Sequence, residues 1–298
     1  MPVTVRPARA EELQGIQELI VRSINDLTER HGFGVMASVR PASFQLFSLE
    51  DDPRGLWIAE DDGEIVGSAF SWACGELWFL AELFIAPRMQ GSGIGRELLG
   101  RTLSHADKTG AKAKALITFA FNTVSQGLYI RHGMFPRLPI CMMSGDRNDF
   151  LATNFKPPLT CKPLDHADLA TLAALDRNAL GVSREKHHMH LLADPALKGF
   201  LFHEGGDSAG YAYVASTGHI GPVAVARQDS MGRVFNAALM IAAQGHSKQI
   251  SAFLPGSCEA ALDIAARHRM RITCPMVLLS DREFGDWKRY LPRNPGFM

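Results

Sequence analysis

The first half of the chain alternates between apolar runs of strand length and longer segments with helical spacing. An Asp61-Asp62-Gly63 turn between two apolar runs is typical of a β-hairpin. The predicted strands lie at the start of the chain and at residues 56–60, 64–73, 77–85, 115–120 and 140–143. The predicted helices span residues 10–27, 93–109 and 123–132, with an irregular or helical stretch up to Asp52. This order predicts an α+β (mixed α/β) fold with three layers.

A second feature is a weak internal repeat, in which the same order of features occurs twice. Each copy opens on a short strand, a proline and an acid-rich first helical turn, which suits the helix dipole. The matching segments are residues 3–7 and 159–163, 67–70 and 210–213, and 131–134 and 267–270. Matches in one order across both halves indicate two copies of one fold. We expect domains at residues 1–147 and 157–298, joined by a linker near 145–158, where Pro157-Pro158 ends the periodicity.

Charge and cysteine use narrow the classes of partner. The chain has 31 basic and 31 acidic residues, so its formal net charge is zero, and it has no general field for nucleic acid or an anionic membrane. The five cysteines form no Cys-x-x-Cys pair or zinc spacing, as in a reducing compartment. No apolar run approaches the ~20 residues of a membrane span, and the first residues lack an apolar signal core. We expect a cytoplasmic monomer or homodimer without nucleic-acid or membrane partners.

Three alternating glycines mark a candidate ligand site. Gly91, Gly93 and Gly95 stand between an apolar run and a predicted helix. Glycine lets several backbone N–H groups converge on one ligand, and at a helix start those donors are unpaired. The arrangement favours a phosphate site, to which Arg96 can add a charge. A turn that merely connects is the alternative, while dinucleotide sites and P-loops have a different glycine order or need Gly-Lys-Ser/Thr.

The glycine segment also resembles motif A of the GNAT N-acetyltransferases, which reads Arg/Gln-x-x-Gly-x-Gly/Ala after the fourth strand. Gln90, Gly93 and Gly95 fall in register with it. Residues 122–134 are similar to motif B of the same family, where Asn is followed by Leu-Tyr and then Gly-Phe. Met134 stands in place of the usual phenylalanine. The resemblance covers most of residues 3–144 and implies tandem GNAT-like acyl-CoA N-acyltransferase domains.

This resemblance implies acetyl-CoA as co-substrate and no metal. The pyrophosphate would lie on residues 91–96, and the amide-bearing pantetheine arm would pair, like a strand, with the backbone of residues 83–85. The implied cofactor-binding residues are Leu83, Phe84, Ile85, Gln90, Gly91, Ser92, Gly93, Ile94, Gly95, Arg96 and Asn122. Asn122 can equally cap the helix that follows, and both roles can hold together.

Two side chains are candidates for catalysis of acetyl transfer. Tyr129 matches the motif B tyrosine that serves as acid in many family members, and packing on an amphipathic helix is its structural alternative. Glu82 interrupts a run that otherwise has the composition of a buried strand, and a buried carboxylate has a raised pKa suited to a base. A structural salt bridge is the alternative for Glu82. Glu76, after Gly75, is the reserve candidate, although a turn position fits it better.

The second copy lacks the matching residues. Only Gly232 remains near the motif A equivalent, Asp229 adds a negative charge there, and Cys258 and Ala265 replace Asn122 and Tyr129. We expect a degenerate copy that shapes the acceptor pocket or an interface, or that binds a different small ligand.

Two further groups of residues have structural explanations. The histidines at 187, 188 and 190 lack the partners of a zinc site. Trp72, Trp78 and Phe79 can line an acceptor pocket, but core packing fits at least two of them.

The sequence thus predicts an acetyl-CoA-dependent N-acetyltransferase that transfers an acetyl group directly to a small primary amine. A non-catalytic acyl-CoA-binding or sensing module is the alternative.

Overall fold

The computed structural model describes residues 3–151 and 159–298. The chain divides into two compact units. The first runs to Phe135 and includes Leu279–Arg282, and the second comprises Pro136–Leu278 and Glu283–Met298. Within the described ranges, no helix is both long enough and apolar enough to cross a membrane.

The first unit is a mixed sheet flanked by helices, and its elements follow the predicted order closely. Its strands are β1 (Thr4–Pro7), β2 (Leu56–Asp61), β3 (Glu64–Cys74), β4 (Leu77–Ile85) and β5 (Ala113–Phe119). Its helices are α1 (Leu13–Arg30), α2 (Ser43–Asp51), α3 (Ile94–Ala106) and α4 (Thr123–Arg131). α1 buries Leu13, Ile16, Leu19 and Ile20, an apolar stripe with the three-and-four spacing of an amphipathic helix.

A close approach of α3 to the sheet depends on Gly67. A Cβ atom at Gly67 would lie 2.9 Å from Ile85 Cδ1 and 3.0 Å from Leu98 Cδ1. Leu98 belongs to the same buried cluster as Leu19 and Ala69. The absence of a side chain at Gly67 therefore lets α3 pack closely on β3. This packing helps to position the first turn of α3.

The strand order of the first unit is β1-β2-β3-β4-β5. The pairing between β4 and β5 ends about halfway along β4. β4 is antiparallel to β3 and pairs in parallel with β5 from Leu77 to Leu80. The register against β3 shifts between Leu80 and Glu82, which leaves Ala81 as a bulge. Bulges bend a strand and increase its local twist. Beyond Leu80 the β5 side of β4 has no paired strand within the first unit, and a gap opens between the two strands.

The second unit repeats this plan. Its strands are β6 (Phe135–Asp146), β7 (Thr160–Pro163), β8 (Leu197–Glu204), β9 (Asp207–Ala215), β10 (His219–Val225), β11 (Gln249–Pro255), β12 (Arg271–Ser280, to Leu278 in this unit) and β13 (Tyr290–Leu291). Its helices are α5 (Arg147–Leu151), α6 (Leu169–Leu180), α7 (Glu185–Ala193), α8 (Met231–Ala243) and α9 (Glu259–Arg267). The order β7-β8-β9-β10-β11 reproduces that of β1 to β5, and β6 and β12 follow it. The predicted mixed α/β fold with tandem copies is confirmed.

In the second unit, the matching gap between β10 and β11 is occupied by another strand. The parallel pairing of these strands covers only His219 and Ile220. Further along, β13 pairs with β10 at Val223 and Ala224. The end of the chain therefore adds a strand to β10 where β4 is left unpaired in the first unit.

The predicted division at residues 1–147 and 157–298 stays a prediction, and the compact units differ from it at the last strand of the first copy and at Leu279–Arg282, which belong to the first unit. The strand expected to close the first copy is β6, and its residues Ile140–Asp146 pair with the whole of β11 inside the second unit. The predicted linker lies partly outside the described residues. Its first part, Gly145 and Asp146, ends β6, and α5 follows.

Candidate functional site

The turn before α3 presents unpaired backbone donors. Gly91 and Gly93 have φ angles of 83° and 94°, and Gly93 is the N-cap of α3. A Cβ atom at either glycine would meet nothing within 4 Å, so conformation and not space requires them. The amides of Gly91, Ser92, Gly93, Ile94 and Gly95 have no hydrogen-bond acceptor among the described residues. They form a set of donors at the positive end of a helix, which suits a phosphate.

The polar side chains of this turn divide between shaping the loop and facing solvent. Ser92 Oγ donates to the Met89 carbonyl at 2.6 Å, and Gln90 Nε2 donates to the Ile85 carbonyl at 3.3 Å. Arg96 is exposed and makes no ion pair with any described residue. Ser92 and Gln90 thus hold the loop against the end of β4, and Arg96 is available to an anion.

The unpaired edge of β4 lies directly before this turn. Leu83, Phe84 and Ile85 pair with β3 on one side and with no strand of the first unit on the other. An extended ligand with amide groups can satisfy the open side, as in the addition of a strand to a sheet edge. The predicted pantetheine contact stays a prediction, and the Ile85 carbonyl already accepts hydrogen bonds from Gln90 Nε2 and Ser23 Oγ.

Glu82 lies at the bulge where β4 leaves β5. It is partly buried, its Oε1 accepts a 2.7 Å hydrogen bond from Gln45 Nε2, and its Oε2 is buried without a partner among the described residues. Burial raises the pKa of Glu82 to about 7, against the opposing effect of the Gln45 hydrogen bond. No salt bridge holds Glu82 within the described part of the chain. Glu76 instead pairs with Lys112 on the surface, at the turn between β3 and β4.

Motif B begins three residues after the end of β5 and covers the whole of α4 and the turn that follows it. Asn122 is the N-cap of α4 and accepts a 3.2 Å hydrogen bond from the Ser125 amide. Tyr129 is 4% exposed, and its hydroxyl makes no hydrogen bond to a described residue. Burial raises the pKa of Tyr129 above its usual value, so the phenol keeps its proton at neutral pH. Met134 is fully buried where the motif has phenylalanine, while Phe135 is 47% exposed.

Gln45 is a site residue that the sequence did not indicate. It lies on α2, in the stretch for which the pattern predicted only an irregular or helical segment. Its side chain is buried and reaches Glu82 across 37 residues of sequence. A buried glutamine gives no periodic signal, and the contact exists only because α2 lies over the bulge in β4.

Residues considered for other roles are part of the cores. Trp72, Trp78 and Phe79 are at most 3% exposed, and Trp72 stacks on Phe79 with ring centroids 5.0 Å apart. His188 is fully buried and lies 3.0 Å from both Asp176 and the Tyr213 hydroxyl. In the described ranges, no group of three or more His, Cys, Asp and Glu side chains has the arrangement of a metal site.

The second unit has the same scaffold without the same groups. α8 begins at Met231 directly after a 3₁₀ turn, and Asp229 in that turn pairs with Arg227. Cys258 is the N-cap of α9 and Ala265 is its seventh residue, the positions that Asn122 and Tyr129 hold in α4. The second unit therefore has neither the left-handed glycines before its helix nor the motif B side chains.

Comparison with known proteins finds the family that the two sequence motifs resemble. Residues 22–134 match the model of the acetyltransferase (GNAT) family. A mycothiol acetyltransferase of Cellulomonas flavigena is 34% identical over 107 residues, which are 32% of this chain and 30% of that protein. This chain thus matches less than a third of the length of that relative.

Solved structures extend the likeness to both units. A structure from Pyrococcus horikoshii has a TM-score of 0.79 at 14% identity and covers 99% of this chain and 96% of its own. A tandem GNAT protein from the clavulanic acid biosynthesis pathway has a TM-score of 0.63 at 14% identity and covers 94% of this chain and 98% of its own. At these identities the two structures support the fold alone.

Proposed function

Because the chain belongs to the GNAT acetyltransferase family through its first half, we propose that it is an acetyl-CoA-dependent N-acetyltransferase. It transfers the acetyl group directly, in a ternary complex, to the primary amine of a small molecule. The observation that carries this proposal is one juxtaposition in the first unit. Five free backbone amides follow an unpaired strand edge, and a carboxylate with one buried, unpaired oxygen lies where that edge begins.

The first unit fits acetyl-CoA on its own residues. The amides of residues 91–95 and the Arg96 guanidinium would hold the pyrophosphate. The backbone of Leu83, Phe84 and Ile85 would pair with the pantetheine amides, and Asn122 keeps its side-chain amide group free beside the start of α4. When bound, acetyl-CoA supplies the thioester whose acetyl group is transferred. The mycothiol acetyltransferase named above supports acetyl transfer in the matched segment, and its acceptor is not assigned to this chain.

The pKa values of Glu82 and Tyr129 suit a general base and a general acid, respectively. A pKa of about 7 lets Glu82 accept a proton from an ammonium group near neutral pH, so that the neutral amine can attack the thioester carbon. The carbon–sulfur bond then breaks. Tyr129, which keeps its phenolic proton, can donate it to the departing thiolate. Glu82 takes the first nitrogen proton and later releases it to solvent. The second nitrogen proton, lost from the adduct, replaces the one that Tyr129 gave to the thiolate, so a neutral amide and free thiol leave the site.

The test is calorimetric titration with acetyl-CoA, followed by assay against a panel of primary amines. Gly93→Asp places a negative charge at the free amides, and Gly63→Asp is its matched control, since Gly63 also has a positive φ of 81° with open space around it. We expect only Gly93→Asp to abolish binding. Tyr129→Phe should keep binding and lower kcat by about 10²-fold or more.

Each outcome separates the proposal from its rivals. Unchanged binding in Gly93→Asp would mean that the loop is only a turn. Tight binding without acetylation of any amine would favour a non-catalytic acyl-CoA-binding module.

A further inference from the structure

A cluster of three aromatic rings includes the cross-strand neighbour of Glu82. Phe70 is the direct cross-strand partner of Glu82. Phe44, adjacent in sequence to Gln45, meets the Phe70 ring edge-on with centroids 5.5 Å apart, and Phe47 stacks on Phe44 at 6.3 Å. Glu82 is therefore paired across the strands with one ring of this cluster and hydrogen-bonded to the amide of Gln45.

A second aromatic group stands at the end of β5, past the point where β5 parts from β4. Phe119 is the last residue of β5, and its ring stacks on Phe121 with centroids 5.1 Å apart. Phe33, from the loop between α1 and α2, stacks on Phe121 at 4.6 Å, and His31 lies 4.9 Å from the same ring. Phe33 remains 37% exposed, so part of its ring is available to a ligand.

The loop that carries Phe33 is held in place by side chains of α1. Asn25 Oδ1 accepts hydrogen bonds from the amides of Met36 and Ala37, and Asn25 Nδ2 donates to the Ala37 carbonyl at 2.9 Å. Thr28 Oγ1 donates to the Gly34 carbonyl at 2.6 Å. Fixed in this way, the loop exposes Val35 and Met36 beside Phe33. Three exposed apolar side chains within four residues form a contiguous apolar patch, and such patches can mark binding sites.

Charged side chains are scarce in the segments that form this surface. Residues 115–130 contain no Asp, Glu, Lys or Arg, and residues 31–49 contain only His31 and Arg40 among ionisable groups. A polyamine or an aminoglycoside needs several carboxylates, because each buried ammonium needs a partner.

From this arrangement we infer that the amine acceptor has a flat aromatic body. Its nitrogen meets Glu82, and its ring stacks on the aromatic group that includes Phe33 and Phe121. Offset and edge-to-face contacts between aromatic rings are favourable beyond the burial of their area. This inference rests on the proposed function and specifies the substrate class of the same site.

The test compares amines that differ in one feature, at saturating acetyl-CoA, by the release of free thiol. The panel is 2-phenylethylamine, ethylamine, phenylalanine, glucosamine and spermidine. We expect kcat/KM for 2-phenylethylamine to exceed that for ethylamine, which lacks the ring, by at least tenfold. Phenylalanine adds a carboxylate near Glu82 and should also fall at least tenfold below 2-phenylethylamine. Glucosamine and spermidine should be poorer still.

Two variants of Phe33 test whether the preference for 2-phenylethylamine over ethylamine comes from stacking on the Phe33 ring. Phe33→Ala should lower kcat/KM for 2-phenylethylamine about tenfold and leave ethylamine and the Kd for acetyl-CoA unchanged. Phe33→Leu, which keeps apolar bulk without the ring, should lie between Phe33→Ala and the wild type. Met189→Ala removes another exposed apolar side chain, in the second unit, and should change neither amine.

Failure of this inference differs from failure of the proposed function. Acetylation of ethylamine, glucosamine or spermidine as fast as 2-phenylethylamine would overturn the inference alone. A folded protein that acetylates no amine would overturn both. Equal loss for ethylamine and 2-phenylethylamine in Phe33→Ala would show that Phe33 only supports the loop.

Discussion

At the scale of the single residue, the burial of Glu82 lowers the stability of the folded protein at neutral pH and also gives the carboxylate the pKa of a useful base. Its pKa of about 7, against a usual 4.5, means that the folded protein holds the proton more tightly than the unfolded chain. The stability this provides is complete below pH 4.5 and is lost as the pH rises through about 7. The loss amounts to roughly 3 kcal/mol, because a tenfold change in proton affinity corresponds to about 1.4 kcal/mol. A site that needs a base near neutral pH bears such a cost.

The first prediction follows from that sign. Glu82→Gln should lower kcat/KM by about 10²-fold or more, because an amide cannot take the amine proton. The wild-type profile of kcat/KM against pH should bend near 7, and the variant should lack this bend. The free energy of unfolding of the variant relative to the wild type should rise between pH 4.5 and pH 8, by up to about 3 kcal/mol. Chemical denaturation over this pH range measures it.

Glu76→Gln is the matched control for this experiment. Glu76 is paired with Lys112 at the surface, with side-chain exposures of 61% and 68%, so its removal should leave both pH profiles unchanged. A stability difference that does not vary with pH in Glu82→Gln would contradict the raised pKa.

The sequence indicated some of these residues and not others, for physical reasons. A glutamate inside an apolar strand pattern is visible without coordinates, since its burial can be inferred from its neighbours. The partner Gln45 and the rings of Phe44 and Phe33 come from a segment without clear periodicity. Their contacts with the sheet depend on tertiary folding, which a single-sequence pattern does not carry.

At the scale of the element, the site depends on how α3 and β4 end. Periodicity and turn residues placed both elements to within a few residues. The bulge at Ala81 could not be predicted, because a bulge is defined by the register between two strands. That bulge begins the divergence of β4 from β5, which creates the open edge at Leu83–Ile85.

The second prediction concerns the packing of α3 on the sheet. Gly67→Ala adds a methyl group that would lie 2.9 to 3.1 Å from three side-chain atoms of Ile85, Leu98 and Ile94. We expect a loss of stability of about 1–3 kcal/mol from overpacking. Because α3 must shift, the Kd for acetyl-CoA should rise as well. Thermal unfolding and calorimetric titration measure the two effects.

Gly100→Ala in the middle of α3 is the opposite case. No atom lies within 4 Å of a Cβ at Gly100, so alanine should stabilise the helix by about 0.5–1 kcal/mol and leave the Kd unchanged. If Gly67→Ala were as stable as the wild type, the account of how α3 is positioned would be wrong.

At the scale of the whole molecule, the two copies of one fold differ at the gap between their fourth and fifth strands. The first copy leaves the edge of β4 open there, and the second copy fills the edge of β10 with β13. The sequence revealed the repeat through short ordered matches, and the loss of motif residues from the second copy was visible at Asp229, Cys258 and Ala265. The position of β13 was not visible, because a two-residue strand far along the chain has no pattern that identifies its partner. Its pairing with β10 gives the second copy a structural reason, beside the missing residues, not to hold an extended ligand.

The last prediction tests this division by hydrogen exchange with and without acetyl-CoA. In the first unit, binding should slow exchange of the free amides at residues 91–95 and of those on the open edge at Leu83–Ile85. In the second unit, peptides covering residues 219–232 should be unchanged, because β10 is already paired with β13 at Val223 and Ala224. Gly93→Asp should remove the protection and Gly63→Asp should keep it. Protection of residues 219–232 in the wild type would mean that the second copy binds the ligand too, with β13 displaced from β10.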